Sequence, residues 1–212
     1  MVPPGQAKLQ EILDRGYFTY GLEATYKPYG FRDDQNNIVG YDIDVANEIG
    51  KRLGVEARPI DTSWPVVIET LYKGDFDVII GGMTATKERN ERVDFSVPYM
   101  DASTVMIIKV GSGIEAPKDL DGKVVGGAAG TPSIPALENA ANREGITYKD
   151  GGKGYDDDTV AFEALRAGRL DGYLTGLVNA ATFVETAPEF TTIPFPIPEF
   201  GVQVSAMAFR QA

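Results

Sequence analysis

Phe76-Asp77-Val78-Ile79-Ile80-Gly81-Gly82-Met83-Thr84-Ala85-Thr86-Lys87-Glu88-Arg89 joins a strand signal to a loop signal. Its first five residues have the length and β-branched content of a buried strand. Two glycines at the end of such a strand are expected to leave backbone N–H groups uncovered, so that a ligand can come close. Thr84 and Thr86 add hydroxyls. Thr86, three residues before Arg89, is predicted to cap a helix that carries Arg89 on its first turn. Loop donors beside a planar guanidinium make a receptor for a carboxylate. A plain strand–turn–helix with a solvated arginine satisfies the same local pattern.

Moving outward, the surrounding pattern occurs twice. Leu71-x-x-Gly74-x-Phe76-Asp77-x-x-Ile80-x-Gly82-Met83 returns 94 residues later as Leu165-x-x-Gly168-x-Leu170-Asp171-x-x-Leu174-x-Gly176-Leu177. Gly16, Gly21 and Thr25 match Gly122, Gly127 and Thr131 in the same order. Two matched βα units in one order imply two similar α/β lobes. The expected division is residues 1–107 with 204–212 for the first lobe and 108–203 for the second.

Within the first half, strand and helix alternate. Residues 7–15 read as a helix, Tyr17-Phe18-Thr19-Tyr20-Gly21 as a strand, and the next helix places Val45, Ile49 and Leu53 on one face before Gly54 stops it. Residues 56–60 read as a strand, followed by a helix start at Ser63-Trp64-Pro65. Such alternation implies a mainly parallel sheet, whose ligands sit beyond the carboxyl ends of its strands. The loops leaving those ends carry Glu23, Tyr26, Trp64, Gly82, Thr84 and Arg89. Trp64 could be core, but beside a helix start at a strand end it is expected as a pocket wall. In the second half Thr131 and Ser133, at a predicted helix N-terminus, are candidate anion donors as well as caps. Thr175 and Gly176 close its version of the opening stretch. Asp156-Asp157-Asp158 lacks the spaced ligands of a calcium loop and is expected as a solvated helix start.

Composition narrows the function. The formal charge of −11 argues against nucleic acid or an anionic membrane as partner. The chain has no Cys and no His, which removes disulfides, thiolate metal sites and the commonest general base. No cofactor and no metal are expected. No apolar run reaches the ~18 residues of a membrane span. The leader Met1-Val2-Pro3-Pro4-Gly5 has no signal-peptide pattern and reads as a start placed on a mature or trimmed domain.

Taken together, the chain resembles the extracytoplasmic solute-binding proteins that deliver amino acids and similar polar solutes to ABC importers. The resemblance rests on Gly40-Tyr41-Asp42-Ile43-Asp44-Val45-Ala46, Gly74-Asp75-Phe76-Asp77-Val78-Ile79, Met83 to Arg89, Val93-Asp94-Phe95-Ser96-Val97-Pro98-Tyr99 and Gly168-Arg169-Leu170-Asp171. It covers essentially everything after about residue 8. It implies the type II periplasmic-binding fold, with two α/β lobes joined by crossing segments near 104–110 and 202–209 that close by hinge motion. It also implies a small carboxylate-bearing solute, importer membrane subunits as partners, a periplasmic or extracellular location and no catalysis. By the resemblance, Arg89 clamps the carboxylate with Thr84, the Gly82 backbone and Thr131. Tyr26 and Trp64 are then walls, and Glu23 is a cation or hydroxyl partner.

The chain departs from this pattern at three places. Gly176 stands where amino-acid binders of the family usually place the aspartate that takes the α-ammonium. Pro132 removes a backbone donor. The family's C-terminal helices do not follow Ala212, so a monomer is expected unless their absence forces pairing. Two alternatives share the pattern. Tyr26-Lys27-Pro28-Tyr29 and Thr62-Ser63-Trp64-Pro65 look like segments of cyclohexadienyl dehydratases, but the acid of those enzymes falls at Asn179, leaving Glu23 as the nearest carboxyl. A ligand-sensing domain of a receptor has the same signature.

Overall fold

The structure, a computed structural model, describes residues 4–211. Met1-Val2-Pro3 of the leader and Ala212 lie outside the described residues. The chain begins α1 (Pro4–Arg15), β1 (Tyr17–Leu22), β2 (Thr25–Tyr26), β3 (Gly30–Arg32) and β4 (Ile38–Val39). Next come α2 (Tyr41–Leu53), β5 (Glu56–Asp61), α3 (Val67–Lys73), β6 (Val78–Ile79), α4 (Lys87–Asn90) and β7 (Val93–Phe95). β8 (Met100–Asp101), β9 (Thr104–Lys109), β10 (Val125–Ala128), α5 (Ser133–Glu144) and β11 (Gly152–Tyr155) follow. The last elements are α6 (Asp158–Arg166), β12 (Gly172–Gly176), α7 (Leu177–Thr186), β13 (Phe190–Pro194), β14 (Val204–Ser205) and β15 (Ala208–Arg210).

Contacts divide the chain into two units. The first holds residues up to Ala24, Tyr29–Met100 and the chain from Ser205; the second holds Thr25–Pro28 and Asp101–Val204. The dividing points differ from the expected 107/108 and 203/204. β9 accounts for the first difference, because it pairs along its length with β12 and β13 inside the second unit.

Each unit is built on the same five-stranded plan. In the first the order is β5-β1-β6-β15-β7, with β1 parallel to β5 and β6, and β15 antiparallel to β6 and β7. In the second the order is β11-β10-β12-β9-β13, with β10 parallel to β11 and β12, and β9 antiparallel to β12 and β13. The fourth strand of each sheet is the one that follows a crossing from the other unit.

Helices cover both faces of each sheet, as parallel strands require. In the first unit, Phe18, Tyr20, Leu22, Val78 and Ile80 pack with Ile43 and Ala46 of α2, while Phe76 and Ile79 pack with Val67, Ile68 and Leu71 around α3. In the second, Met106, Ile108 and Leu174 meet Ala136, Leu137 and Ala140 of α5. Ile107 and Tyr173 meet Ala161, Leu165, Ala180 and Phe183 of α6 and α7. The α2 face differs from the expected one. Asp42, Ile43, Ala46 and Gly50 are buried, Val45 and Ile49 are half-buried, and Leu53 is exposed. Four-residue spacing fits two adjacent stripes of a helix, and the one containing small Ala46 and Gly50 is the one that lets α2 approach β5 closely.

The repeated Asp is a structural device. Asp77 Oδ2 accepts the Thr19 N–H at 2.8 Å, and Asp171 Oδ2 accepts the Val124 N–H at 2.8 Å. In return the Asp77 N–H donates to the Thr19 carbonyl and the Asp171 N–H to the Val124 carbonyl. Each Asp thereby pins one strand to its parallel neighbour at the edge where pairing begins. Burial raises the Asp77 pKa, but hydrogen bonds from Thr19, Lys8 and Arg15 outweigh it and leave the group below the ordinary value. Its stabilisation is therefore present above the unfolded carboxyl range and lost as pH falls through the lowered folded value. We expect Asp77→Ala to speed amide exchange at Thr19, and Asp171→Ala at Val124, with each losing about 1–3 kcal/mol of local protection. Unchanged exchange at both amides would refute the device.

Candidate functional site

The register of the first sheet brings three strand ends together. Leu22 lies opposite Asp61, and Gly21 opposite both Ile60 and Ile79. Glu23, Trp64 and the Gly81–Arg89 loop therefore leave one edge of the sheet. Gly81 sits in contact with its neighbours there: a Cβ would lie 3.1 Å from Trp64 and 3.2 Å from Leu22. Trp64 is buried and belongs to the core cluster around α3, more deeply than its place at a strand end suggests. The Arg89 guanidinium lies 5.8 Å from the Trp64 ring, close enough for a cation–π contribution.

Thr86 caps α4 as expected, its hydroxyl accepting the Arg89 N–H at 3.2 Å. Arg89 is 8% exposed and donates from Nη1 to the Thr84 carbonyl at 2.9 Å. Burial pushes its pKa down to about 10, while Glu88 raises it. The group is a cation at neutral pH, and its surroundings penalise that charge. Glu23 and Thr84 are half-buried. Gly82 departs from the expectation of an open amide, because its N–H donates to the Tyr99 hydroxyl at 3.1 Å. That donor is therefore not on offer to a ligand while the bond stands.

In the second unit Gly127 lies opposite Leu174, which puts the ends of β10 and β12 side by side. The Thr131 hydroxyl donates to the Ala128 carbonyl at 2.7 Å and accepts the Ser133 N–H at 3.2 Å. A hydroxyl has one proton, so Thr131 shapes the start of α5 and has none left for an anion, against the expectation that it does both. Ser133 is buried in the first turn of α5. Thr175 is buried opposite Val105. Gly176 caps α7, and a Cβ there would lie 2.6 Å from the Tyr26 hydroxyl oxygen. Tyr26 and Gly176 are thus in contact, with the phenol in the space a side chain at 176 would take.

One group was not foreseen. Asp157 caps α6, accepting the Thr159 N–H at 2.6 Å, but Asp158 is 6% exposed and not solvated. Its carboxylate accepts from the Tyr173 hydroxyl and, at 2.5 Å, from the Asn179 amide. Burial pushes Asp158 up to about 6, against the pull of both donors. Its spacing from Ala161 and Leu165 places it on the buried stripe of α6, which is the signal a charge-based reading passes over.

Among the described residues no cluster of acidic side chains could hold a metal ion, and no helix is long and apolar enough to cross a membrane. Residues 18–193 match the profile of the bacterial extracellular solute-binding proteins, family 3. The chain belongs to that family. Among its relatives, this family 3 solute-binding protein is 32% identical to the L-cystine-binding protein TcyJ of Escherichia coli over 96% of its own length and 74% of that protein's. A mutant of the arginine-bound ArgBP from T. maritima is 34% identical, with a TM-score of 0.84 over 96% of this chain and 92% of that one. A cyclohexadienyl dehydratase of Pseudomonas aeruginosa is 28% identical, over only 45% of this chain and 35% of the enzyme. The type II periplasmic-binding fold expected from the motifs is the fold found.

Proposed function

We propose that the chain binds a small carboxylate-bearing polar solute, an amino acid or close analogue, outside the cytoplasm and hands it to an ABC importer. The observation that carries this reading is Arg89. A guanidinium held at 8% exposure, with burial already lowering its pKa to about 10, gains most from an anion placed beside it. Thr84 and Glu23 leave the same sheet edge, Thr84 as a hydroxyl donor and Glu23 as a partner for a cation or hydroxyl on the solute. The Trp64 ring lies 5.8 Å from the guanidinium, within reach of a cation–π contribution. Within the second unit, Tyr26, Ser133, Thr175 and Gly176 are the candidates for ligand contact. The relatives named for cystine and arginine support an amino-acid class. The Tyr26 hydroxyl against Gly176 gives that unit a polar group without the charge of a carboxylate.

A thermal-shift panel tests the reading. L-arginine, L-cystine and the other standard amino acids would be set against matched acids without the amine, with prephenate and arogenate included. A ligand at 100 times its Kd stabilises the folded state by about 2.7 kcal/mol, which for a chain of this size raises Tm by roughly 5–10 °C. No shift with any carboxylate would overturn the proposal. A shift confined to amine-free acids would redefine the solute class while keeping the Arg89 site.

The dehydratase reading has one observation in its favour: a carboxyl raised to about 6, Asp158, lies against Asn179, the position that the acid of those enzymes takes by the resemblance. Against it, both donors to Asp158 are protein groups and the side chain is buried among core residues. A general acid must reach the departing hydroxyl. Binding without turnover is the reading we adopt, and product formation from prephenate or arogenate in the same panel would reverse it.

A further inference from the structure

The Gly82 peptide group and its neighbour are gripped from either side of the long excursion of the chain through residues 101–204. The Gly82 N–H donates to the Tyr99 hydroxyl at 3.1 Å, and the Gly82 carbonyl accepts from the Ser205 hydroxyl at 3.0 Å. Tyr99 stands two residues before Asp101, where the chain enters the second unit, and Ser205 is the first residue after its return. The grip is reinforced: the Tyr99 N–H donates to the Ser205 carbonyl, the Ala206 N–H donates to the Met83 carbonyl, and Thr84 bridges to Ser205. Behind Tyr99 stands Asp42, fully buried in the first turn of α2, whose Oδ1 accepts the Tyr99 O–H at 2.7 Å. Its Oδ2 is buried without a hydrogen-bond partner among the described residues.

Such a grip has a use. Gly82 has a positive φ of 66°, a conformation in which glycine has no Cβ to restrict it, and it immediately precedes the loop that carries Thr84 and Arg89. Ordering that loop before a ligand arrives removes part of the entropic cost of binding. A carboxylate behind the Tyr99 O–H also polarises it, making its oxygen a better acceptor for the Gly82 N–H. We propose that Asp42, Tyr99 and Ser205 are positioning residues that clasp Gly82, set the Thr84–Arg89 loop for the solute carboxylate, and tie that loop to the chain just before residue 101 and just after residue 204. The proposal rests on the Arg89 reading for its purpose and on the three hydrogen bonds for its existence.

The clasp is expected to respond to pH. Burial pushes Asp42 up to about 6, with the Tyr99 bond pulling the other way. Tyr99 is raised by burial and then by Asp42. Asp42 faces Tyr99 and, from β1, Tyr20; Asp44 of the same helix acts on Tyr20, and Tyr41 acts on Tyr99. Protonating Asp42 removes the charged acceptor behind Tyr99 and weakens the bond to Gly82.

The test uses two readouts on the whole chain. In the unliganded protein, the Gly82 amide proton shift is followed by NMR from pH 8 to pH 5. It should titrate with a midpoint near the Asp42 value of about 6, and become flat in Asp42→Asn and Tyr99→Phe. Tyr41 stacks on Tyr99, so Tyr41→Phe serves as the control and should keep the titration. Calorimetry at pH 8 with L-arginine and L-cystine as probes should show about tenfold weaker binding for Tyr99→Phe and Ser205→Ala, the loss of roughly one hydrogen bond's worth of ordering. A Gly82 titration that survives Tyr99→Phe overturns the clasp, and wild-type affinity in both variants overturns its positioning role. If Tyr99→Phe does not fold, Ser205→Ala carries the affinity arm. If the wild-type chain binds neither probe, these probes are excluded as solutes, and the amide titration alone decides the clasp.

Discussion

Arg89→Ala is expected to weaken binding of any carboxylate solute by on the order of a hundredfold or more, with the unliganded fold retained. The magnitude follows from charge-assisted hydrogen bonds of about 1.5–3 kcal/mol each, two of which a guanidinium fork can offer one carboxylate. The retention of fold follows from the environment of Arg89. Burial penalises this cation, as its lowered pKa records, so removing the buried charge offsets part of the loss of its bond to the Thr84 carbonyl. Arg89→Lys separates charge from shape. It keeps the cation and loses the planar fork, and is expected to recover only part of the affinity. Calorimetry with L-arginine and L-cystine, beside thermal melts without ligand, reads both quantities. Affinity within a few-fold of wild type in Arg89→Ala would remove this residue from the site.

The largest effect on stability is expected from Asp158→Ala. It strips the acceptor from the Tyr173 hydroxyl and the Asn179 amide inside the second unit. Each buried donor that loses its partner costs about 1–3 kcal/mol, so a total near 3 kcal/mol and a Tm lower by roughly 10 °C are expected. The pH dependence has a definite sign. A carboxyl raised to about 6 in the folded chain favours the folded state as pH falls from neutrality toward the unfolded carboxyl range, and penalises it above the raised value. That share of the slope should vanish in Asp158→Ala. Melts between pH 5 and pH 8 measure it, and an unchanged Tm at every pH would mean the network contributes nothing.

The repeat was readable because it serves one physical purpose twice. Asp77 and Asp171 each fasten the start of a parallel strand, so the same residue recurs at the same place in both halves. The insertion of β15 and β9 as antiparallel fourth strands was not readable, because pairing between segments far apart in sequence leaves no local period. At the site, the cap from Thr86 to Arg89 is local chemistry and was legible. The fate of the Gly82 N–H was not, since its acceptor, Tyr99, comes from seventeen residues on. Thr131 shows the opposite error. Its residue type fits an anion donor, but the Ala128 carbonyl close by in the chain claims its proton first. Asp158 was hidden by its neighbours, because three consecutive aspartates read as solvated charge while helical spacing turned one of them inward.

The fourth strand of the first sheet has a consequence for the order in which the protein matures. The second unit is almost contiguous in sequence, so nearly all of it leaves the ribosome as one block, and domains tend to fold as units during synthesis. The first unit begins earlier but cannot close its sheet, because β15, which sits between β6 and β7, is translated only after that block. The half emerging first therefore waits on the half emerging second, with the facing edges of β6 and β7 open in the meantime. Unpaired strand edges attract other chains. For this chain the interval of greatest exposure to misassembly falls during translation of residues 101–204, and ends when the short segment Ala208–Arg210 arrives.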